Sequence, residues 1–507
     1  MNDQSYQETY ELLCSASREA VMLDRIQCLL EWDERTKMPL AGGEYRAEQA
    51  AYVAGLAHQK KVAPEIGEWL DALADSPLAT DPHGDTGTVI RCLRRDYDKK
   101  VRLPQTLVEE LTRMSVLGQQ LWAEARRDDD FASFQPVLEK IVDLKRQEAA
   151  ALGYKTTPYD PLLDDYEPGE STTNVARVLE ELREAIVPLV GAIAGSRQRP
   201  DVSILARSFP IEAQESFGTE VAAAIGFDFS AGRLDVTDHP FCTGLGPGDV
   251  RITTRYDEHA FSDALFGILH EAGHGIYDQG LPRADYGLPT GEDVSLGIHE
   301  SQSRQWENQV GRSFAFWEHF YPAAQRAFAS ALGDVSLHDF YGAINDVRPS
   351  LIRVEADEVT YNLHVLIRFE LELALIEDQL QVVDLPTAWN EKYQHYLGIA
   401  PPSDSDGVLQ DVHWSAGLFG YFPTYALGNL YAAQFFDQAE HDLGGLTEDF
   451  RSGDFRPLGE WLRANVHAHG RRYTPAELVQ RITGKPLTHV PLITQLRSKY
   501  GEIYRLG

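Results

Sequence analysis

Apolar residues recur at helical spacing through most of this chain, and Pro, Gly and Asp clusters break the pattern into segments. Residues 4–31 carry the first amphipathic run. It ends in EWDERTKMP, where Pro39 and the Gly42–Gly43 pair predict a break. Further helices are predicted over about 44–75 and 104–125, separated by the polar stretch SPLATDPHGDTG. In 172–195, Val175, Val178, Leu182, Ile186 and Leu189 form one stripe, with Pro188 expected to kink or end the helix. The run 156–173 reads as a long turn-rich connection. Three short β-branched stretches, VSILAR (202–207), RLDVT (233–237) and VRITTRY (250–256), predict a small sheet. Helical patterning then returns to the end, interrupted at IAPPSDSDG (399–407). The fold class is therefore mainly α, a large helical body with one small sheet. Over residues 1–507 it reads as one domain: a helical N-terminal part over about 1–200, a small β region over about 201–256, and helices carrying the chemistry over about 257–507.

Composition narrows the functions. The 507 residues are 43% hydrophobic and 24% charged, which suits a large globular core. Lys and Arg total 46 against 78 Asp and Glu, a formal charge of -32 that repels polyphosphate and anionic lipid, so neither nucleic acid nor a membrane is the expected partner. Cys14, Cys28, Cys92 and Cys242 are scattered, with no C-x-x-C pair to suggest a disulfide framework or thiolate zinc site. The N-terminal stretch lacks the basic and apolar regions of a secretory signal, and no apolar run is long enough to span a bilayer, so a cytoplasmic location is expected.

Residues 270–274 are HEAGH. Helix positions four apart share a face, so His270 and His274 can both direct a ring nitrogen at one cation. Glu271 is turned away from ligation yet stays close enough to take a proton from water at that cation. Such a pentapeptide also arises by chance, so its surroundings decide. Phe261, Ala264, Leu265, Ile268 and Ala272 form a greasy stripe, while Asp263, Gly267, His270, His274 and Asp278 lie opposite. Gly267 and Gly273 remove bulk near the expected ion, and Asp278 is a candidate to orient a ligand histidine. A catalytic zinc takes three protein ligands and keeps one position for water. The third is sought in SLGIHESQSRQWEN, a helical segment behind a Ser295 cap. There Glu300 leads, with His299, Glu292 and Glu307 as competitors.

HEAGH followed by HESQ resembles the carboxypeptidase Taq-type metallocarboxypeptidases. Other ordered stretches fit the same family: WDERTKMP, LLDDYEPG, HPF at 239–241, D-x-R-x-T on Asp249, Arg251 and Thr253, I-R-x-x-A-D from Ile352 to Asp357, and G-x-x-Q-D-x-H-W from Gly407 to Trp414. The blocks run from residue 32 to residue 425 with no departure at a motif position. The resemblance implies a helical zincin fold around a deep substrate groove, a homodimer, and release of single C-terminal residues with broad preference. It also implies Glu300 as third ligand and zinc as cofactor, with cobalt as a substitute.

Amide hydrolysis further needs a stabilised oxyanion, and an exopeptidase must hold a free α-carboxylate. In DVHWSAGLFGYFPTYALGN, His413, Tyr421 and Tyr425 are candidate catalytic donors. A guanidinium fork suits a carboxylate, and Arg353 is the first choice, weighed against an ion pair with Glu355 or Asp357. Arg251 and Arg304 are further possibilities, and His239 and Gln302, within the matched stretches, complete the substrate-binding candidates. The competing functions are an oligopeptidase or dipeptidyl carboxypeptidase on a related scaffold, and a catalytically silent peptide-binding protein.

Overall fold

The computed structural model describes residues 3–506. Helices make up 69% of the chain and one three-stranded sheet the regular remainder, which settles the mainly α class.

The first helix, Asp3–Thr36, runs five residues past the expected end. Trp32 explains this: it is buried, and the Arg251 guanidinium lies 4.1 Å from the centre of its ring, so the WDERT segment is held as helix by what it packs on. Pro64 splits the predicted 44–75 helix into Gly43–Lys61 and Pro64–Leu73, with proline in the first turn of the second. Asp85–Arg102 is a helix that the polar pattern hid, because its buried residues (Gly87, Thr88, Val89, Ile90 and Cys92) are confined to its first two turns and the rest is mostly charged. Thr172–Gly195 continues through Pro188. The proline removes one N–H, but Leu189, Val190 and Ile193 beyond it are buried, and that burial outweighs the lost bond.

The β region differs most from expectation. VSILAR is not a strand: Val202–Ala206 is a 3-10 turn nucleated by the Asp201 side chain, which accepts from the Ser203 N–H at 3.0 Å. A helix, Ile211–Ala224, follows within the same region. The sheet comprises β1 (Gly232–Val236), β2 (Cys242–Gly246) and β3 (Asp249–Thr254). β3 is central, parallel to β1 with Gly232 opposite Val250, and antiparallel to β2 with Cys242 opposite Ile252. β2, whose sequence CTGLG lacks an alternating pattern, becomes a strand because β3 offers it a ladder. The D-x-R-x-T residues knit this corner together. Asp249 takes both ends of the Arg251 fork at 2.9 Å, and Thr253 Oγ1 accepts from the Phe241 N–H at 2.8 Å while donating to the Phe241 carbonyl at 3.0 Å.

The HEAGH helix, Phe261–Gly280, lies across β3. Its predicted stripe of Phe261, Ala264, Leu265, Ile268 and Ala272 is buried, and all but Ala264 join the main core. The HESQ helix, Leu296–Arg304, is capped by Ser295, whose Oγ accepts from the Ile298 N–H at 3.0 Å as expected. A π-helical stretch, Gln305–Val310, extends it. Two glycines bring the walls of the site together. A Cβ at Gly273 would sit 2.6 Å from Ser303 Cα, and one at Gly428, in the helix Pro423–Leu443, 2.5 Å from Glu300 Cγ. Gly273 therefore serves helix contact, while Gly267 faces open space but for Thr254 Oγ1 at 3.8 Å.

Candidate metal centre

Two crossing helices set the site. His270 and His274, one turn apart on the HEAGH helix, point their Nε2 atoms at Glu300 of the HESQ helix, whose Oε2 lies 3.7 and 3.6 Å away. Ligand atoms of the three residues fall within 4.8 Å of one another. The nitrogen–oxygen separations exceed a hydrogen bond and match the spacing of ligands around a cation bound at about 2 Å to each. Two imidazoles and a carboxylate are a zinc-type donor set, so these residues fit a resident metal ion.

The other candidates for third ligand have different work. Glu307 Oε2 accepts from His270 Nδ1 at 2.9 Å, fixing that ring's tautomer and aim. Arg304 lies between the two carboxylates, its Nε donating to Glu300 Oε1 at 2.7 Å and its Nη1 to Glu307 Oε2 at 3.1 Å. Glu300, Arg304 and Glu307 stand at i, i+4 and i+7, one helix face; that spacing was open to sequence reading and was missed. His299 turns aside, its Nε2 donating to Asp278 at 3.1 Å and its ring stacking on His274 at 4.4 Å, so Asp278 steadies His299 rather than a ligand histidine. Glu292 pairs with Arg471 at 3.2 Å.

Electrostatics follow from this packing. Burial opposes ionisation of Glu300 and Glu307, but Arg304 and the histidines outweigh it and hold both carboxyls well below the usual range. Burial, reinforced by charge on His299, pushes His274 down to about 3, leaving its imidazole neutral and able to ligate. Burial, with the Glu300 charge adding to it, lifts Glu271 to about 7, a value suited to passing a proton both ways.

Beside Glu300 sits the aromatic cluster of the DVHWSAGLFGYFPTY segment. His413 Nε2 lies 3.2 Å from the Tyr425 hydroxyl, and the His413 and Tyr421 rings are 5.3 Å apart. Burial drives His413 down to about 4 despite Asp411, while burial and the Glu300 charge keep the Tyr421 hydroxyl protonated. His413, Tyr421 and Tyr425 are thus brought together as neutral hydrogen-bond partners.

The expected substrate-binding residues are more dispersed. Arg353 is 5% exposed, and its fork is taken by Asp411, to which Nε and Nη2 donate at 3.0 and 2.9 Å; Nη1 donates to the Tyr361 hydroxyl at 3.1 Å. Asp411, rather than Glu355 or Asp357, is its ion-pair partner, and Arg368 shares that carboxylate at 2.6 Å. Arg251 is held by Asp249 and Trp32. His239 is exposed in the loop between β1 and β2. Gln302 points into the core, its Oε1 accepting from His467 Nε2 at 3.0 Å, and the structure does not bring it to the ligand set.

A helix presenting H-E-x-x-H toward a glutamate of the following helix defines a metallopeptidase. The family model described as carboxypeptidase Taq (M32) metallopeptidase matches residues 13–500, and the chain belongs to that family. It is 50% identical to thermostable carboxypeptidase 1 of Thermus thermophilus over 98% of this chain and 99% of that one, and 41% identical to carboxypeptidase 1 of Bacillus subtilis over 94% and 95%. Its fold superposes on the M32 carboxypeptidase of Deinococcus radiodurans with a TM-score of 0.95 at 42% identity, covering 98% and 100% of the two chains. The protein is accordingly a metallocarboxypeptidase acting on peptides, and the resemblance read from its motifs is borne out.

Proposed function

We propose that the chain removes single C-terminal residues from peptides, with broad preference, by water attack assisted by Glu271 at a zinc site formed by His270, His274 and Glu300, cobalt serving as a substitute. A zinc ion held there would acidify water and polarise the scissile carbonyl. Glu271 takes the proton of the attacking water and returns it to the leaving nitrogen, so one carboxyl serves as base and then acid. The Tyr425 and Tyr421 hydroxyls, with His413 positioning the first, donate to the oxyanion. Such a donor contributes about 3 kcal/mol to the transition state. Arg353, closed by Asp411, acts in this reading by fixing His413 and Tyr425, whose ring centre lies 4.9 Å from its guanidinium.

The observation that carries the reading is the convergence of two imidazoles and one carboxylate on a cation-sized gap beside a buried glutamate. Mass spectrometry of a peptide digest tests it. Wild type should produce a ladder of single-residue losses that a chelator abolishes. Glu271→Gln should keep stoichiometric metal and lose at least about a thousandfold in turnover. Near-normal turnover in that variant refutes the general base, and losses in steps of two residues make the chain a dipeptidyl carboxypeptidase.

A further inference from the structure

A cavity of about 210 Å³ opens between the HEAGH helix, strand β2 and the first helix. His299 lines it while stacking on His274, so the cavity begins one ring's thickness from a metal ligand. β2 forms a wall of glycine and small residues, with Gly244 so close to Asp278 that a Cβ there would meet its carboxylate at 2.8 Å. A peptide backbone can approach such a wall closely.

The cavity is lined by charges of both signs. Asp278 is taken by His299 and Glu292 by Arg471. Arg25 and Arg283 also line it, and neither forms an ion pair among the described residues. Arg25, half-buried on the first helix, has the Tyr286 hydroxyl as its hydrogen-bond partner, with Asp278 and Glu292 felt only as charges at longer range. The helix that carries it is pinned at this place: Ser17 Oγ donates to the Gly287 carbonyl at 2.8 Å, and Arg18 Nε to the Tyr286 carbonyl at 3.3 Å. Arg283 is exposed at the rim, and Asp293 joins Asp278 and Glu292 in the acidic part of the lining. Burial opposes the charge on Arg25, but neighbouring acidic groups, Asp278 and Glu292 among them, outweigh it, so the guanidinium lines the cavity fully charged in a chain of net charge -32.

We infer that this cavity is a substrate subsite in which Arg25, assisted by Arg283, holds a carboxylate of the bound peptide. The inference rests on the peptidase reading and adds to it a recognition element from the N-terminal helix. The carboxylate comes either from an acidic side chain or from the peptide's own C-terminus. With Arg353, Arg304 and Arg251 each closed by an acidic partner, Arg25 offers the fork that those three lack.

The test compares wild type, Arg25→Ala, Arg25→Lys and Asp293→Asn as zinc-loaded, full-length protein, with melting temperature and bound zinc recorded for each. The substrates are peptides of one length carrying Glu or Gln at successive positions, and amidated forms serve as competitors. An acidic side chain in the subsite predicts that Arg25→Ala lowers kcat/KM by about 10–100-fold for Glu at one position, with the Gln peptide within threefold. A C-terminal carboxylate there predicts that loss for every free-acid peptide, with binding of the amides unchanged. Arg25→Lys should fall between, and Asp293→Asn should shift acid-over-amide preference upward, several-fold. Values for Arg25→Ala within threefold of wild type on all peptides, or equal losses on acids, amides and Gln peptides, overturn the assignment. The two readings fail separately: if wild type releases nothing, the peptidase reading falls, while the difference in Kd between free-acid and amidated peptides still reports on Arg25.

Discussion

Glu307 shows how a residue outside the proposed ligand set can orient it. By accepting from His270 Nδ1 it selects the tautomer that leaves Nε2 free to ligate, and through Arg304 it shares its charge with Glu300. Glu307→Gln keeps the shape but lets the amide present its NH2 to the same ring nitrogen. The expected result is metal binding weakened by about 10–100-fold, measured by competition with a graded chelator, with the helical circular dichroism unchanged. Unaltered affinity refutes the orienting role. At this scale the sequence was informative where chemistry demands fixed spacing, as for His270, Glu271 and His274. It was silent where partners meet across the fold. Nothing in IRVEAD announces that Arg353 is matched with Asp411 some sixty residues on, or that Arg368 completes a buried Arg–Asp–Arg cluster. Among HESQ's neighbours spacing left the third ligand open and the resemblance pointed to Glu300; the fold adds that His299 turns toward Asp278 and Glu307 toward His270.

Elements position those residues by close approach, and glycine decides how close. The HESQ helix lies against Pro423–Leu443 at Gly428, where a methyl group would strike both Cβ and Cγ of Glu300 at 2.7 and 2.5 Å. Gly428→Ala should therefore destabilise the protein by about 1–3 kcal/mol and also weaken metal binding, because the displaced atoms belong to the proposed ligand Glu300. Gly459→Ala, in Arg456–Asn465, is the matched control: no atom lies within 4 Å of its added methyl, and helix propensity predicts a neutral or slightly raised melting temperature. Equal effects from the two substitutions would show that the approach at Gly428 is not tight. Helices with a full apolar stripe, such as Thr172–Gly195, were legible from spacing alone. VSILAR misled because its β-branched residues suit a strand, whereas a single Asp201 side chain ties the backbone into a turn. β2 was hidden because an edge strand needs only a ladder partner, which no local pattern records.

Across the whole molecule, buried carboxyls tie distant segments to the catalytic helices, and they give stability a particular pH dependence. Glu167, fully buried in the turn-rich connection, accepts from Ser295 Oγ at 3.1 Å, the Gly297 N–H at 3.1 Å and the Tyr431 hydroxyl at 2.9 Å, joining that connection to the start of the HESQ helix and to Pro423–Leu443. Burial outweighs these three donors and lifts its carboxyl to about 8. In the unfolded chain the same group titrates near about 4.3. Between these values the folded protein retains a proton that the unfolded chain has released. The contribution of Glu167 is thus complete below about pH 4 and is lost as pH rises toward 8. Glu300, Glu307 and Asp411 slope the other way, since their folded values are depressed and their contribution is lost on acidification. A wild-type curve mixes the two trends, but a difference curve separates them. Glu167→Gln changes the hydrogen bonding by an amount that does not vary with pH, so only the titration appears as slope. Melting temperatures taken from about pH 5 to about pH 8 should show the variant gaining steadily on wild type. A constant offset across that range would mean that Glu167 is ionised throughout, and that its three donors, not burial, set its charge.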